Sequence, residues 1–132
     1  MRTEEHQTEK RSSQTKSFVR EPKSVPEARH WAMEVYAKAG AGEDLTELCA
    51  LLVSEAATNA VRHGAGEQYT VVIDPELWIE VWDDSHSLPR RRETSTDSEG
   101  GRGLEFLELW APGYQVLETL VGKAVRFLPK GW

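Results

Sequence analysis

The stretch LLVSEAATNAVRHG, residues 51–64, sets a carboxylate and a carboxamide four residues apart inside what otherwise reads as a buried helix. From Leu45 the apolar positions run Leu45, Leu48 and Leu52, and the same three-and-four spacing continues through Glu55, Asn59 and His63. At about 100° per residue these side chains occupy roughly a quarter of the helix circumference, so the polar trio prolongs the core-facing stripe. An unpaired buried carboxylate costs on the order of several kcal/mol, which directs such a column toward a cleft, a metal or a fixed hydrogen-bond partner.

Upstream, Ser24, Pro26 and Glu27 supply a capping serine, a first-turn proline and a glutamate three residues on. They predict a helix with Ala28, Trp31, Ala32, Val35 and Tyr36 on one face, ending near Gly40 and Gly42. Asp44 is the expected cap of the second helix, and Gly64 its stop. KSFVRE, residues 16–21, alternates weakly and predicts a short edge strand ended by Pro22. Residues 1–15 are too poor in apolar side chains to order themselves and read as a tail, leaving 16–132 as a single domain.

Downstream the period changes from 3.6 to 2. YTVVID and LWIEVWD predict two strands joined around Asp74, Pro75 and Glu76, the second ending at Asp83 and Asp84. Residues 85–101 are polar and predict a long, mobile loop that closes in EGGRGLEFLELW, a glycine turn into a short helix of Leu104, Phe106, Leu107 and Leu109. GYQVLETL, a turn at Gly122 and KAVRFLP predict two more strands. This order gives an α+β class: a two-layer sandwich with its helices on one face of a mixed, largely antiparallel sheet.

A chain of 132 residues, 39% of them hydrophobic, suits one ordinary domain with a real core. No apolar run approaches the roughly 20 residues that cross a bilayer, and MRTEEHQTEKRSSQTK offers no secretory signal, so a cytoplasmic protein without a membrane is expected. The lone Cys49 falls in the apolar helix, which excludes an internal disulfide and predicts a core residue. The net charge of −6 argues against a general nucleic-acid surface.

Three elements carry chemistry. Glu55 can accept a proton from a hydroxyl or water, while the amide oxygen of Asn59 can coordinate a hard cation such as Mg²⁺ without adding charge. The same spacing also fits an ordinary polar helix face, and His63 also fits a partner of the helix dipole. Asp83, where a hydrophobic strand runs out, can accept from an amino group such as that of adenine; Asp83 and Asp84 equally suit a turn. The glycines of GGRG, residues 100–103, let backbone N–H groups approach an anion, although such turns are common in loops that bind nothing.

In this order the three resemble the ATP-binding domains of the Bergerat (GHKL) superfamily, and within it the small bacterial anti-sigma-factor serine/threonine kinases. The resemblance covers roughly residues 16–129 and is strongest at SEAATNAVRHG and EGGRGL. It implies a Bergerat fold that binds ATP and Mg²⁺, with Glu55 as general base, Asn59 as Mg²⁺ ligand and Asp83 as acceptor of the adenine amino group. It further implies nucleotide contacts at His63, Ser85, Gly101, Arg102, Gly103 and Leu104, and a lid over residues 86–100. The partners it implies are a sigma factor, an anti-sigma-factor antagonist and a second copy of the chain through the N-terminal strand or first helix. Three positions depart from the family. Its DxGxG motif stands here as Asp83, Asp84, Ser85, His86 and Ser87; its last-strand GGKT stands as Val121, Gly122, Lys123 and Ala124, which removes a threonine hydroxyl; and the lid carries Arg90, Arg91 and Arg92. The rival reading is a binding module of the same fold that has lost catalysis and acts by sequestering a protein.

Overall fold

In the computed structural model, which describes residues 12–84, 105–120 and 122–130, the period-2 segments form a five-stranded sheet. The strands are β1 (Gln14–Val19), β2 (Gln68–Ile73), β3 (Ile79–Asp83), β4 (Gln115–Thr119) and β5 (Gly122–Phe127), in the order β1-β2-β3-β5-β4. Each of the four neighbouring pairs is antiparallel. Short connections alone require this for β2 with β3 and for β4 with β5, because parallel neighbours need a crossover of a dozen residues or more. β1 is an edge strand, as its weak alternation predicted, and starts two residues before the predicted segment.

The helices are α1 (Val25–Lys38), α2 (Glu43–His63) and the short α3 (Glu105–Trp110). Alternate strand residues Tyr69, Val71, Ile73, Ile79, Val81, Val125 and Phe127 join Ala28, Ala32 and Tyr36 of α1 and Leu48, Leu52, Val53, Ala56, Ala57 and Ala60 of α2 in one core. One face of the sheet is therefore covered by both long helices, the α+β arrangement expected of the sequence. On the other face Arg126 lies over the Trp78 ring, 4.2 Å from its centre, and pairs with Glu80 at 3.2 Å and Asp74 at 3.6 Å.

Two local expectations, the caps of the long helices, are corrected. Ser24 occupies the cap position of α1 but makes no side-chain cap bond; a 3₁₀ turn, Pro22–Ser24, runs straight into the helix. Its hydroxyl is fully buried and instead donates to the Glu21 carbonyl at 3.0 Å and meets the Tyr69 hydroxyl at 2.7 Å, tying the helix start to β2. The N-cap of α2 is Gly42, with Asp44 one position inside the first turn, where its charge still favours the helix dipole. In α3 only Leu107 among the described apolar side chains enters the core by full burial, while Leu109 is 66% exposed, because a helix this short turns one side away from α2.

Cys49 is buried, as expected, and burial pushes its thiol up to about 12; burial, with the nearby Cys49 and Asp74, likewise raises the Tyr36 hydroxyl. The unfolded chain releases the thiol proton near pH 9.0, whereas the folded chain keeps it, so stability falls as pH climbs from there toward 12. Cys49→Ala removes one of the groups responsible. Urea unfolding at neutral pH and at about pH 11 should show this variant keeping a larger fraction of its neutral stability than the wild type, and an equal fractional loss would contradict the assignment.

Candidate functional site

The C-terminal half of α2 changes character after Leu52. Its buried side is built from Val53, Ala56, Ala57 and Ala60, whose small side chains let the helix approach the sheet closely. Glu55 and Asn59 lie to one side of this face and are half-buried, and His63 in the last turn is exposed. The polar trio therefore flanks the core instead of prolonging it, as the spacing had predicted. For Glu55 the consequence is favourable, since a half-buried carboxylate stays near water and reachable by a second molecule. Arg29 of α1 donates to Ser54 at 3.2 Å, and Ser54 donates to the Ala50 carbonyl at 2.8 Å, which fixes α2 against α1 one residue before Glu55.

Asp83 ends β3 on the helix-facing side of the sheet, next on that face after the core residues Ile79 and Val81. At 8% exposure it is the only buried charged side chain among the described residues. A carboxylate fixed there is an acceptor with a set direction.

Glycines make room for it. Gly64, which closes α2, donates its N–H to the Ala60 carbonyl at 2.9 Å and has no room for a side chain: a Cβ would stand 2.5 Å from the Ala60 oxygen and 2.8 Å and 2.9 Å from Cγ and Oδ2 of Asp83. Gly66, at φ +93°, presents its bare Cα to the Asp84 side chain, and Gly122, at φ +157°, does the same to the Asp83 carbonyl. In the sequence Gly64 is a helix stop within SEAATNAVRHG and Gly122 a turn within the last-strand motif, and nothing marks Gly66. Spacing could not reveal that all three converge on one strand end.

Arg20 is a second residue that the sequence reading missed. Its guanidinium donates to the carbonyls of Val61 and Gly66, both at 2.7 Å, and so holds the last turn of α2 and the following loop to the end of β1. The Asp84 N–H donates to the Ala65 carbonyl at 3.1 Å, closing that loop onto β3. The end of the helix that carries Asn59 and Glu55 is thereby joined to the strand end that carries Asp83. Asn59 and Glu55 lie about 7 Å and about 13 Å back along the helix axis from Gly64.

Ser85, Gly101, Arg102, Gly103, Leu104 and the lid positions lie outside the described residues, as do Ser87 and the arginine run. Among the described residues no group of three or more His, Cys, Asp or Glu side chains could hold a metal ion by itself. A single amide oxygen such as that of Asn59 suits Mg²⁺, which keeps most of its shell as water and phosphate oxygen. A buried carboxylate acceptor suits a donor such as the amino group of a nucleobase.

The register of β3 with β5 corrects the reading of the last strand. Trp82 faces Ala124 and Asp83 faces Lys123, and because Val81–Val125 and Ile79–Phe127 are core pairs, Lys123 shares the helix-side face with Asp83. Ala124 lies on the opposite face, against Trp82 and Leu117, where a missing hydroxyl does not bear on Asp83.

No helix among the described residues is long and apolar enough to cross a membrane. A search of curated proteins gives no match. Residues 18–127 match the histidine kinase-like ATPase domain family, a span that runs from β1 to β5 and includes α2, Gly64 and Asp83. With that match over most of its length, and with the α+β layering just described, the chain belongs to the histidine kinase-like ATPase family and is an ATP-binding domain.

Proposed function

We propose that this domain is a protein kinase of the anti-sigma-factor type, transferring phosphate from ATP to a serine or threonine of a protein antagonist. The observation that supports the reading is the close approach of Asp83 to Gly64, which brings a buried carboxylate to the end of the helix bearing Glu55 and Asn59. Asp83 accepts a hydrogen bond from the base amino group and sets the orientation of the nucleotide. The Asn59 amide oxygen would hold Mg²⁺, whose contribution when bound is to neutralise phosphate charge. Glu55 orients the incoming hydroxyl and takes its proton as the new oxygen–phosphorus bond forms and the bond to the β-phosphate oxygen breaks. Catalysis of this kind rests on positioning and electrostatics more than on covalent chemistry.

The reading is tested by titrating the chain with a fluorescent ATP analogue, with and without Mg²⁺, alongside Asn59→Ala. Saturable binding that strengthens with Mg²⁺ in the wild type and loses most of that gain in the variant supports it. Absence of binding at millimolar nucleotide would leave the rival, a module that only sequesters a partner. Of the departures from the family, Ala124 lies on the far face of the sheet from Asp83 and lends the rival no support there.

A further inference from the structure

We propose that Lys123 reads the nucleobase together with Asp83 and makes the site selective for adenine, an inference that rests on the nucleotide-binding reading of this site. The two residues are directly opposite one another on neighbouring strands, on the face that carries α1 and α2. Side chains so placed have Cβ atoms about 4.5–5.5 Å apart, a span that the four-carbon stem of lysine covers. The ammonium is therefore within reach of the Asp83 carboxylate, one pair of side chains beyond the core pair Val81–Val125 on the same face.

A carboxylate and an ammonium side by side present an acceptor next to a donor. The edge of adenine presents the complement, an amino donor at N6 beside an acceptor at N1. Guanine presents the reverse at the same two positions, a carbonyl oxygen facing the carboxylate and an N–H facing the ammonium. Each mismatch leaves a polar group without its bond, which is the strongest means a binding site has of rejecting a close analogue. A lysine alone would raise affinity for any nucleotide through its phosphates. Paired with Asp83 across one rung, it distinguishes bases.

A competing arrangement is built into the same strand. Lys123 also pairs in register with Glu118 of β4, an exposed carboxylate on the edge strand. A lysine engaged there would be a surface charge of the kind that guards sheet edges, without effect on nucleotide.

Competition against a fluorescent ATP analogue, with Mg²⁺ present, separates these outcomes when ATP, GTP and purine riboside triphosphate are compared. The last keeps N1 but lacks the amino group. Lys123→Met should weaken ATP and purine riboside triphosphate about tenfold each and leave GTP within about twofold, whereas Lys123→Arg, which keeps a donor, should hold ATP near the wild-type value. Asp83→Asn should weaken ATP and spare purine riboside triphosphate, and Glu118→Gln should change none of the three. Unaltered ATP affinity in Lys123→Met, or an equal loss for all three nucleotides, would overturn the role while leaving nucleotide binding itself intact. Failure of the wild type to bind any of them would overturn both readings, and thermal melts of each variant report whether it is folded.

Discussion

Glu55→Ala is expected to abolish phosphotransfer to the antagonist while nucleotide affinity stays within about threefold of wild type, because a positioned base is worth about 10²–10⁴ in rate and little in ground-state binding. Glu55 is half-buried beside the alanine face of α2, so it is held by the helix yet open to a second molecule. Truncation there removes no core contact of the kind Leu52 or Val53 makes. Glu55→Gln is the sharper version: it keeps size and hydrogen bonding but cannot take a proton. Incorporation of labelled phosphate into the antagonist is the measurement, with analogue titration in parallel. Phosphotransfer at the wild-type rate in either variant would remove Glu55 from the role of base.

Gly64→Ala should lower nucleotide affinity at least tenfold and the melting temperature by about 5–10 °C, the scale of an overpacking cost of about 1–3 kcal/mol in a domain of this size. The backbone at Gly64, φ −86°, is open to any residue, so the effect is purely one of space. A methyl group would stand 2.5 Å from the Ala60 carbonyl and under 3 Å from two atoms of the Asp83 carboxylate. Moving Asp83 relieves only the contacts with its carboxylate; the contact with the Ala60 oxygen also forces the helix end to shift against its own Gly64–Ala60 hydrogen bond. Gly42→Ala, where an added methyl meets nothing within 4 Å, is the control for glycine replacement in general. Equal ATP affinity in Gly64→Ala and wild type, from the same titration, would show that the Asp83 position tolerates displacement.

Most of the layout was legible because it depends on local periodicity. Tyr69, Val71 and Ile73 alternate, Leu48 and Leu52 recur at helical spacing, and each pattern has one way to bury its apolar side. The capping readings failed for the complementary reason. The Ser24 hydroxyl can donate as well as accept, and at the end of a 3₁₀ turn it bonds the Glu21 carbonyl and the Tyr69 hydroxyl and makes no cap bond to the helix.

For the candidate site the division is similar. The sequence alone established that a carboxylate and an amide lie at one-turn spacing on α2 and that Asp83 ends a strand, each from spacing along one segment, while the ATP-binding domain was implied by resemblance over roughly residues 16–129. Tertiary structure alone decided that Gly64, Gly66 and Gly122 converge on the end of β3, that Arg20 fastens the helix exit from 41 residues away, and that Lys123 shares a face with Asp83 while Ala124 does not. These depend on strand register and on close approach between distant segments. A shift of one residue in register would exchange the faces of Lys123 and Ala124, and nothing within β5 taken alone fixes that register; the pairing of Val125 and Phe127 with Val81 and Ile79 in the core does.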